Sequence, residues 1–190
     1  MRKIPTMFLR DWDNPRHITR EPNPDCAWVF DGEGIVTVKW DGTCMMLDDD
    51  GQWWARREVR PGKAHPPNFL LIEEDEKTGK AYGWEPIEQS SFAKCHAEAI
   101  AVSGHEFAPG TYELVGPKVN GNPDKFAGHV LMRHGWAPLS LREDAKSAPR
   151  DYDGLAVWLG ERHIEGLVWH HPDGHMAKIK RRDFPTGGAS

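Results

Sequence analysis

A lysine and an acidic turn that directly follow a β-rich run, Lys39-Trp40-Asp41-Gly42, have the clearest chemical potential in the chain. Average composition predicts a Lys-x-Asp-Gly match at roughly one position in several thousand, and the plain alternative is a strand that ends in an ordinary Asp-Gly turn. A lysine amine is a nucleophile only when unprotonated, and its free pKa is about 10.4, so a nucleophilic lysine needs a desolvated or cation-rich setting. Lys178 and Lys180 are candidates to supply that setting.

Two carboxylates accompany these lysines on predicted strands. Glu113 lies in one strand, Glu165 begins another, and Lys178-Ile179-Lys180 lies in the strand expected to pair with the second. A two-residue turn at Asp173-Gly174 would place Glu165 on the same face as both lysines. A three-residue loop would reverse this parity.

The elements that must position these residues are mostly strands. Alternating or β-branched runs predict strands at residues 35–38, 44–47, 52–56, 111–115, 129–132, 164–170 and 175–181. The Asp-Gly pair at Asp50-Gly51 predicts a hairpin between the second and third of these strands. Residues 61–88 are expected to be irregular, and their acidic run at residues 73–76 is typical of a solvated loop.

Two helices are predicted. Ser90 or Ser91 is the expected N-cap of the first helix, which runs to about Val102 and ends at Gly104. The second helix begins near Asp151. Its inward-facing residues are expected to be Leu155, Trp158 and Leu159.

Composition describes an ordinary globular chain. Its 190 residues suit one domain, and 38% hydrophobic with 28% charged residues provide for a core and exclude extensive disorder. No apolar run reaches the roughly 18 residues of a membrane span, and no apolar signal core follows Met1, so we expect a cytoplasmic protein with no membrane partner. Three widely separated cysteines exclude a disulfide framework.

The charge balance limits how the chain can hold nucleic acid. With 24 basic against 29 acidic residues and a net charge of −5, overall positive charge alone cannot hold it. Residues 56–63 and 178–182 are nevertheless basic segments, for which a solvated face is the ordinary explanation. A zinc site is not expected, because no pair of histidines or cysteines has the spacing of a structural zinc ligand set.

The chemistry-bearing motifs resemble those of a known superfamily in their order and spacing. Lys39-Trp40-Asp41-Gly42, Glu113, Glu165-Gly166 and Lys178-Ile179-Lys180 are similar to motifs I, III, IV and V of the covalent nucleotidyltransferases, which include polynucleotide ligases and capping enzymes. Further segments resemble the compact ATP-dependent RNA ligases that join ends in the 5′-to-3′ sense. These segments are Trp54-Ala55-Arg56, Gly83-Trp84-Glu85-Pro86-Ile87-Glu88, Val119-Asn120-Gly121-Asn122-Pro123, His134-Gly135 and Ile164-Glu165-Gly166-Leu167-Val168-Trp169-His170.

This resemblance, which covers about residues 35 to 182, implies a fold. The expected fold is α+β, an ATP-grasp-like nucleotidyltransferase (adenylation) domain of antiparallel sheets with flanking helices. We expect a single domain over residues 1–190, without a C-terminal OB domain. The proline-rich opening is expected to make residues 1–30 an extended N-terminal arm.

The resemblance also implies an activity, ATP-dependent RNA ligation. Lys39 would attack the α-phosphate of ATP to form lysyl-AMP, AMP would pass to an RNA 5′-phosphate, and a 3′-hydroxyl would displace AMP to form the phosphodiester. The implied cofactors are ATP, as AMP donor, and Mg²⁺ or Mn²⁺. The implied partner is RNA with 5′-phosphate and 3′-hydroxyl ends, in a repair role, and the involvement of an end-processing partner protein is left open.

Individual nucleotide contacts carry over from the matching motifs. Asp41 and Gly42 would shape the turn that presents Lys39. Glu113 would hold the ribose hydroxyls, and Arg56 would contact ribose or the substrate phosphate.

The remaining roles concern phosphate, metal and RNA. Glu165 would help to position the metal and phosphate, while Lys178 and Lys180 would neutralise the triphosphate as pyrophosphate leaves. The candidate RNA contacts are Arg57, Arg60, Lys63, Arg181 and Arg182.

Two other functions are compatible with these residues. A transferase that stops at nucleotidylation would share a Lys39 adduct but would join no strands. A non-catalytic RNA-end binding module would bind RNA regardless of Lys39 and form no covalent product.

Overall fold

The computed structural model describes residues 3–135 and 139–185. Their contacts group into two compact units: a central unit, residues 41–134, and a terminal unit, residues 3–40 together with those from 135 onward. The fold is mixed α/β with mostly antiparallel sheets and few helices, as the sequence predicts. The expectation of one adenylation domain over residues 1–190 stays a prediction.

The described elements follow one another in this order along the chain. The strands are β1 (Phe8–Arg10), β2 (Ile18–Pro22), β3 (Ile35–Lys39), β4 (Thr43–Leu47), β5 (Trp53–Val59), β6 (Leu70–Asp75), β7 (Lys80–Pro86), β8 (Gly110–Val115), β9 (Val130–Arg133), β10 (Gly166–His170) and β11 (Met176–Lys180). The helices are α1 (Ala27–Phe30), α2 (Ala93–Ser103), α3 (Leu139–Lys146) and α4 (Tyr152–Gly160). None of these helices has the length and apolar character needed to cross a bilayer.

The terminal unit is built on a three-stranded antiparallel sheet in the order β11-β10-β3. Alternation along the strands sends one set of side chains into the core of the unit and leaves the lysines on the opposite face. The core-facing residues of the sheet are Val36, Val38, Leu167, Trp169, Ala177 and Ile179. Helix α4 packs on this core through the three predicted residues Leu155, Trp158 and Leu159, and Asp151 caps it by accepting a hydrogen bond from Gly154 N–H.

The N-terminal residues differ from the predicted extended arm. They form β1, β2 and α1, and they bury Met7 and Phe8 in the core of the terminal unit. Thr6 also makes a parallel bridge to Lys178 at the outer edge of β11. Pairing at this edge satisfies backbone groups that would otherwise be exposed, so the segment is an integral layer of the unit.

The central unit is built on a six-stranded antiparallel sheet in the order β6-β7-β5-β4-β8-β9. Residues 61–88, expected to be irregular, instead supply the hairpin of β6 and β7. The acidic run predicts a loop, but it lies in β6, because an edge strand pairs through its backbone and tolerates charged side chains. Helix α2 runs to Ser103 and Gly104 ends it at φ 64°, as predicted. The predicted N-cap is wrong: Phe92 is the N-cap and has no side-chain capping bond, while Ser90 Oγ accepts from Phe92 N–H just before the helix begins.

The predicted register of the β10–β11 hairpin is wrong by one residue. Leu167 pairs with Ile179, not with Lys180, because the loop has three residues, 172–174. His171 N–H donates to the His175 carbonyl at 2.9 Å, and Asp173 Oδ1 accepts from His175 N–H at 3.0 Å. These bonds close the longer loop and stabilise it over a two-residue turn.

Candidate active site

Three lysines lie on the polar face of the three-stranded sheet. Gly166 is the Cα partner of both Lys39 on β3 and Lys180 on β11, so these residues form one row across the sheet. In the neighbouring row on this face, Val168 pairs with Thr37 and with Lys178. We call Lys39, Lys178, Lys180 and Glu165 the lysine cluster.

Glu165 is the carboxylate of the lysine cluster. Its Oε2 lies 2.5 Å from Lys39 Nζ and its Oε1 lies 2.5 Å from Lys180 Nζ. The Arg182 guanidinium lies 3.8 Å from Oε1. Burial alone would raise the pKa of this carboxyl, but the charges and hydrogen bonds of Lys39 and Lys180 outweigh burial and lower its pKa below the ordinary value.

The ion pairs form although the predicted strand parity is wrong. Glu165 lies in a bend immediately before β10, so its side chain does not follow the alternation of that strand. Gly166 makes room between the two lysines: a Cβ there would strike the Ile179 carbonyl and come within 2.8 Å of Lys180 Cα. The glycine of the Glu-Gly motif is thus a steric requirement of this sheet.

Lys178 is held in place through both of its backbone groups. Its N–H donates to the Pro5 carbonyl at 3.0 Å, and its carbonyl accepts from Met7 N–H at 2.9 Å. Burial, followed by the charges of Lys180 and Lys39, lowers the pKa of the Lys178 amine to about 8. Lys178 therefore lies in a desolvated, cation-rich setting. The sequence predicts such a setting for Lys39, and that expectation stays a prediction.

The turn at Asp41-Gly42 is held by side chains of the central unit. Gly42 N–H donates to Glu113 Oε1 at 3.1 Å, and Asp41 N–H donates to Asp124 Oδ2 at 3.1 Å. The Asn120 amide donates to the Gly42 carbonyl at 2.6 Å and to Asp41 Oδ1 at 3.2 Å. A Cβ on Gly42 would lie 2.8 Å from Glu113 Cγ, so glycine is required for this close approach.

Glu113 connects this turn to a histidine. It is only 8% exposed, on β8, and its Oε2 lies 3.0 Å from His134 Nε2. His134 lies in a segment that resembles the RNA ligases but is not a predicted site residue, and neither is Asp124. His134 lies in a turn after β9, and no local sequence pattern indicates its contact with Glu113. Asp124 follows the Asn-Gly-Asn-Pro segment, and no local pattern indicates its contact with Asp41.

Arg56 projects from β5 into an aromatic and acidic environment. Its guanidinium carbon lies 5.6 Å from the ring centroids of Tyr82 and Trp84, and its NH2 lies 3.6 Å from Glu73. The rings favour a cation by their quadrupoles, and Glu73 balances its charge. Glu73, expected in a solvated loop, is therefore an ion-pair partner on β6.

The five candidate RNA contacts belong to two different units. In the central unit, Arg57 Nε lies 3.7 Å from Glu85, and Arg60 and Lys63 are exposed at the end of β5 and beyond it. In the terminal unit, Arg181 donates to the Arg162 carbonyl at 3.0 Å. The Arg182 side chain is exposed, and its NH2 lies 3.8 Å from Glu165 Oε1.

The ion pairs of Glu165 with the lysines compete with the metal-binding role expected of this carboxylate. Both carboxylate oxygens already contact lysine Nζ atoms, so a divalent cation bound directly to Glu165 would have to replace an ion pair. The carboxylate as it stands suits organising the lysines better than holding a metal ion.

Comparisons with known proteins agree with the motifs. The RNA ligase 1 family model matches residues 87–186 of this chain. RNA ligase 1 of Danio rerio is 26% identical over 161 residues, which cover 68% of this chain and 46% of that protein. RNA ligase 1 of Pongo abelii is 30% identical over 137 residues, covering 62% of this chain and 40% of that protein.

A third relative, RNA ligase 1 of Rattus norvegicus, is 28% identical over 138 residues, covering 56% of this chain and 41% of that protein. The chain spans less than half the length of these relatives. The family model, however, matches more than half of the chain. The motifs, the antiparallel architecture and this match together identify the chain as a member of the RNA ligase 1 family.

Proposed function

We propose that this chain is an ATP-dependent RNA ligase with a nucleotidyltransferase fold, in which Lys39 becomes adenylylated. The observation that carries the proposal is the lysine cluster. Glu165 contacts Lys39 and Lys180 at 2.5 Å each, and Lys178 lies on the same sheet face with its pKa lowered to about 8. A surface built only for packing or solubility has no need to concentrate three cations around one buried carboxylate.

In the first step, the Nζ of Lys39 attacks the α-phosphorus of ATP. A phosphorus–nitrogen bond forms, the bond to pyrophosphate breaks, and the proton lost by the lysine passes to solvent. Glu165 fixes the position of the Lys39 nitrogen, and the neighbouring positive charges of Lys178 and Lys180 would favour the neutral, nucleophilic form of Lys39.

The same cations would bind the leaving group. Lys178, Lys180 and Arg182 offer positive charge for the triphosphate as negative charge moves to pyrophosphate. A Mg²⁺ or Mn²⁺ ion would enter with the ATP phosphates and supply further charge neutralisation when bound.

Glu113 and Arg56 would bind the nucleoside and the RNA end. Glu113, buried and fixed by Gly42 N–H, would accept hydrogen bonds from the ribose hydroxyls. Arg56 would contact ribose or the substrate phosphate. Its ion pair with Glu73 is 3.6 Å long, and the substrate would replace Glu73 as its partner. AMP would then pass to the RNA 5′-phosphate, and a 3′-hydroxyl would displace AMP and seal the strand.

The test is incubation of pyrophosphate-treated protein with Mg²⁺ and ATP labelled at the α-phosphate, followed by RNA with a 5′-phosphate and a 3′-hydroxyl. We expect a covalent adduct that is absent from Lys39→Ala, and then joined RNA. An adduct without joining would favour the transferase that stops at nucleotidylation. No adduct, with RNA binding unaffected by Lys39→Ala, would favour the non-catalytic binding module.

A further inference from the structure

We propose that Cys44, Glu113 and His134 form a binding site for a soft divalent transition metal ion of the Zn²⁺ class. Each residue offers one ligand atom, and the three atoms all lie within 4.8 Å of one another in the central unit. This site is distinct from the Mg²⁺ or Mn²⁺ that would accompany ATP, and its existence does not depend on the ligase activity.

The sheet register brings the three residues together. Cys44 on β4 and Glu113 on β8 are Cα partners, and Glu113 pairs on its other side with Met132 on β9. His134 lies two residues beyond Met132, and its N–H donates to the Thr111 carbonyl at 3.0 Å, which continues the ladder. All three ligands therefore project from one face of the sheet.

The imidazole and the carboxylate are both oriented by further contacts. His134 Nδ1 lies 2.9 Å from Thr111 Oγ1, which leaves Nε2 directed toward Glu113. Glu113 Oε1 accepts from Gly42 N–H at 3.1 Å, which leaves Oε2 toward the histidine. Metal-binding histidines commonly have their second nitrogen anchored in this way, because the anchor fixes the ring and its tautomer.

The chemistry of the ligand set selects the metal. Thiolate and imidazole are ligands that Zn²⁺ and Co²⁺ prefer and that Mg²⁺ avoids. The thiolate and the carboxylate together neutralise a divalent charge. Cys44 and His134 are both partly exposed, so an ion can reach them.

Occupancy of the site would compete with the nucleotide. The ion would bind a carboxylate that the proposed function assigns to the ribose hydroxyls, so the consequence for catalysis, unlike metal binding itself, rests on that function. We expect Zn²⁺ to weaken ATP binding and not to substitute for Mg²⁺.

Titration of the full chain with Co²⁺ alone tests the proposal, because a thiolate ligand gives cobalt a charge-transfer absorption band. We expect this band in the wild-type protein and its loss when Zn²⁺ is added. Cys44→Ser should abolish the band, and His134→Ala should weaken Co²⁺ binding by at least about tenfold. Cys95→Ser and His163→Ala, at a cysteine on α2 and at an exposed histidine of the terminal unit, are matched controls that should leave the band unchanged.

A folded wild-type protein without the band would overturn the proposal, and so would a band that persists in Cys44→Ser. Circular dichroism of each variant checks that it is folded. Because the absorption needs neither ATP nor RNA, a protein that binds Co²⁺ but forms no lysine adduct would contradict the proposed ligase function alone.

Discussion

Glu165 is the carboxylate that pairs with the cations of the lysine cluster. Its carboxylate is 6% exposed and contacts two lysines whose side chains are 19% and 17% exposed. Charges this far from water are stable only when paired, so removal of the carboxylate would leave several cations facing one another.

Glu165→Gln should therefore lower both stability and adenylylation. We expect a loss of about 2–4 kcal/mol in the free energy of unfolding, because uncompensated charges stay partly buried. The measurement is urea denaturation, with labelling by ATP in parallel. Glu161→Gln is the control. Glu161 is 70% exposed and its carboxylate lies 3.7 Å from Arg162, a weak surface ion pair, so this variant should change the free energy of unfolding little. Equal stability of the two variants would contradict the role of Glu165 as the balancing charge.

Lys178 gives the protein a specific dependence of stability on pH. Its folded-state pKa of about 8 lies below the ordinary lysine value of 10.5, so folding disfavours its charged form. The penalty is fully present below about pH 8 and is relieved as pH rises toward 10.5, because the unfolded chain binds more protons in that window.

Lys178→Met should consequently stabilise the protein most at neutral pH. We expect a gain of about 3 kcal/mol near pH 7 that shrinks to under about 1 kcal/mol near pH 10. Urea denaturation at a series of pH values measures it. Lys94→Met, at an exposed position of α2, should give a curve parallel to that of the wild type. A Lys178→Met gain that does not change with pH would show that Lys178 is not desolvated.

The β10–β11 hairpin illustrates which features of an element the sequence can predict. The two strands, their pairing and the position of the turn follow from alternation and from the Asp-Gly signal. The register does not, because two- and three-residue loops use the same turn residues and differ only in hydrogen bonds such as that from His175 N–H to Asp173.

Other elements were missed for comparable physical reasons. Edge strand β6 carries Glu73, Glu74 and Asp75, so its pattern is that of a solvated loop although its backbone pairs with β7. Helix α3 is short and polar, LSLREDAK, and the sequence offered no start signal for it. Tertiary pairing rather than local preference decides such segments.

Gly166→Ala tests the close packing of β10 against β11. A Cβ would strike the Ile179 carbonyl and lie 2.8 Å from Lys180 Cα, so the strands must separate. We expect about 3 kcal/mol of destabilisation or more and a large loss of adenylylation. Gly160→Ala is the matched control, since a Cβ at the end of α4 meets nothing within 4 Å. Similar denaturation midpoints for both variants would contradict this packing.

At the scale of the whole molecule, two cores support two sets of functional residues. The motifs correctly predicted that Lys39, Glu165 and Lys180 converge, since order and spacing preserve which strands carry them. They could not predict that Glu113 contacts His134, because that contact depends on the pairing of β8 with β9. The N-terminal segment was also beyond prediction, as prolines obscured its short strands.

The N-terminal segment should be essential for folding of the terminal unit. Phe8 is 2% exposed and packs edge-on against Phe30 and Tyr152, with centroids 5.5 and 5.3 Å away. Phe8→Ala should cost about 3–5 kcal/mol, measured by thermal or urea denaturation. Val157→Ala, on α4 and 63% exposed, is the control and should cost far less. A negligible effect of Phe8→Ala would restore the extended-arm interpretation.

The most direct test of the proposed chemistry is to identify which lysine carries AMP. Pyrophosphate-treated protein would be incubated with ATP and Mg²⁺, and the adduct located by intact mass and peptide mapping. We predict one AMP on Lys39, lost in Lys39→Arg and retained in Lys94→Arg. AMP on Lys178 or Lys180, or no adduct on the folded protein, would contradict the assignment of Lys39 as the nucleophile.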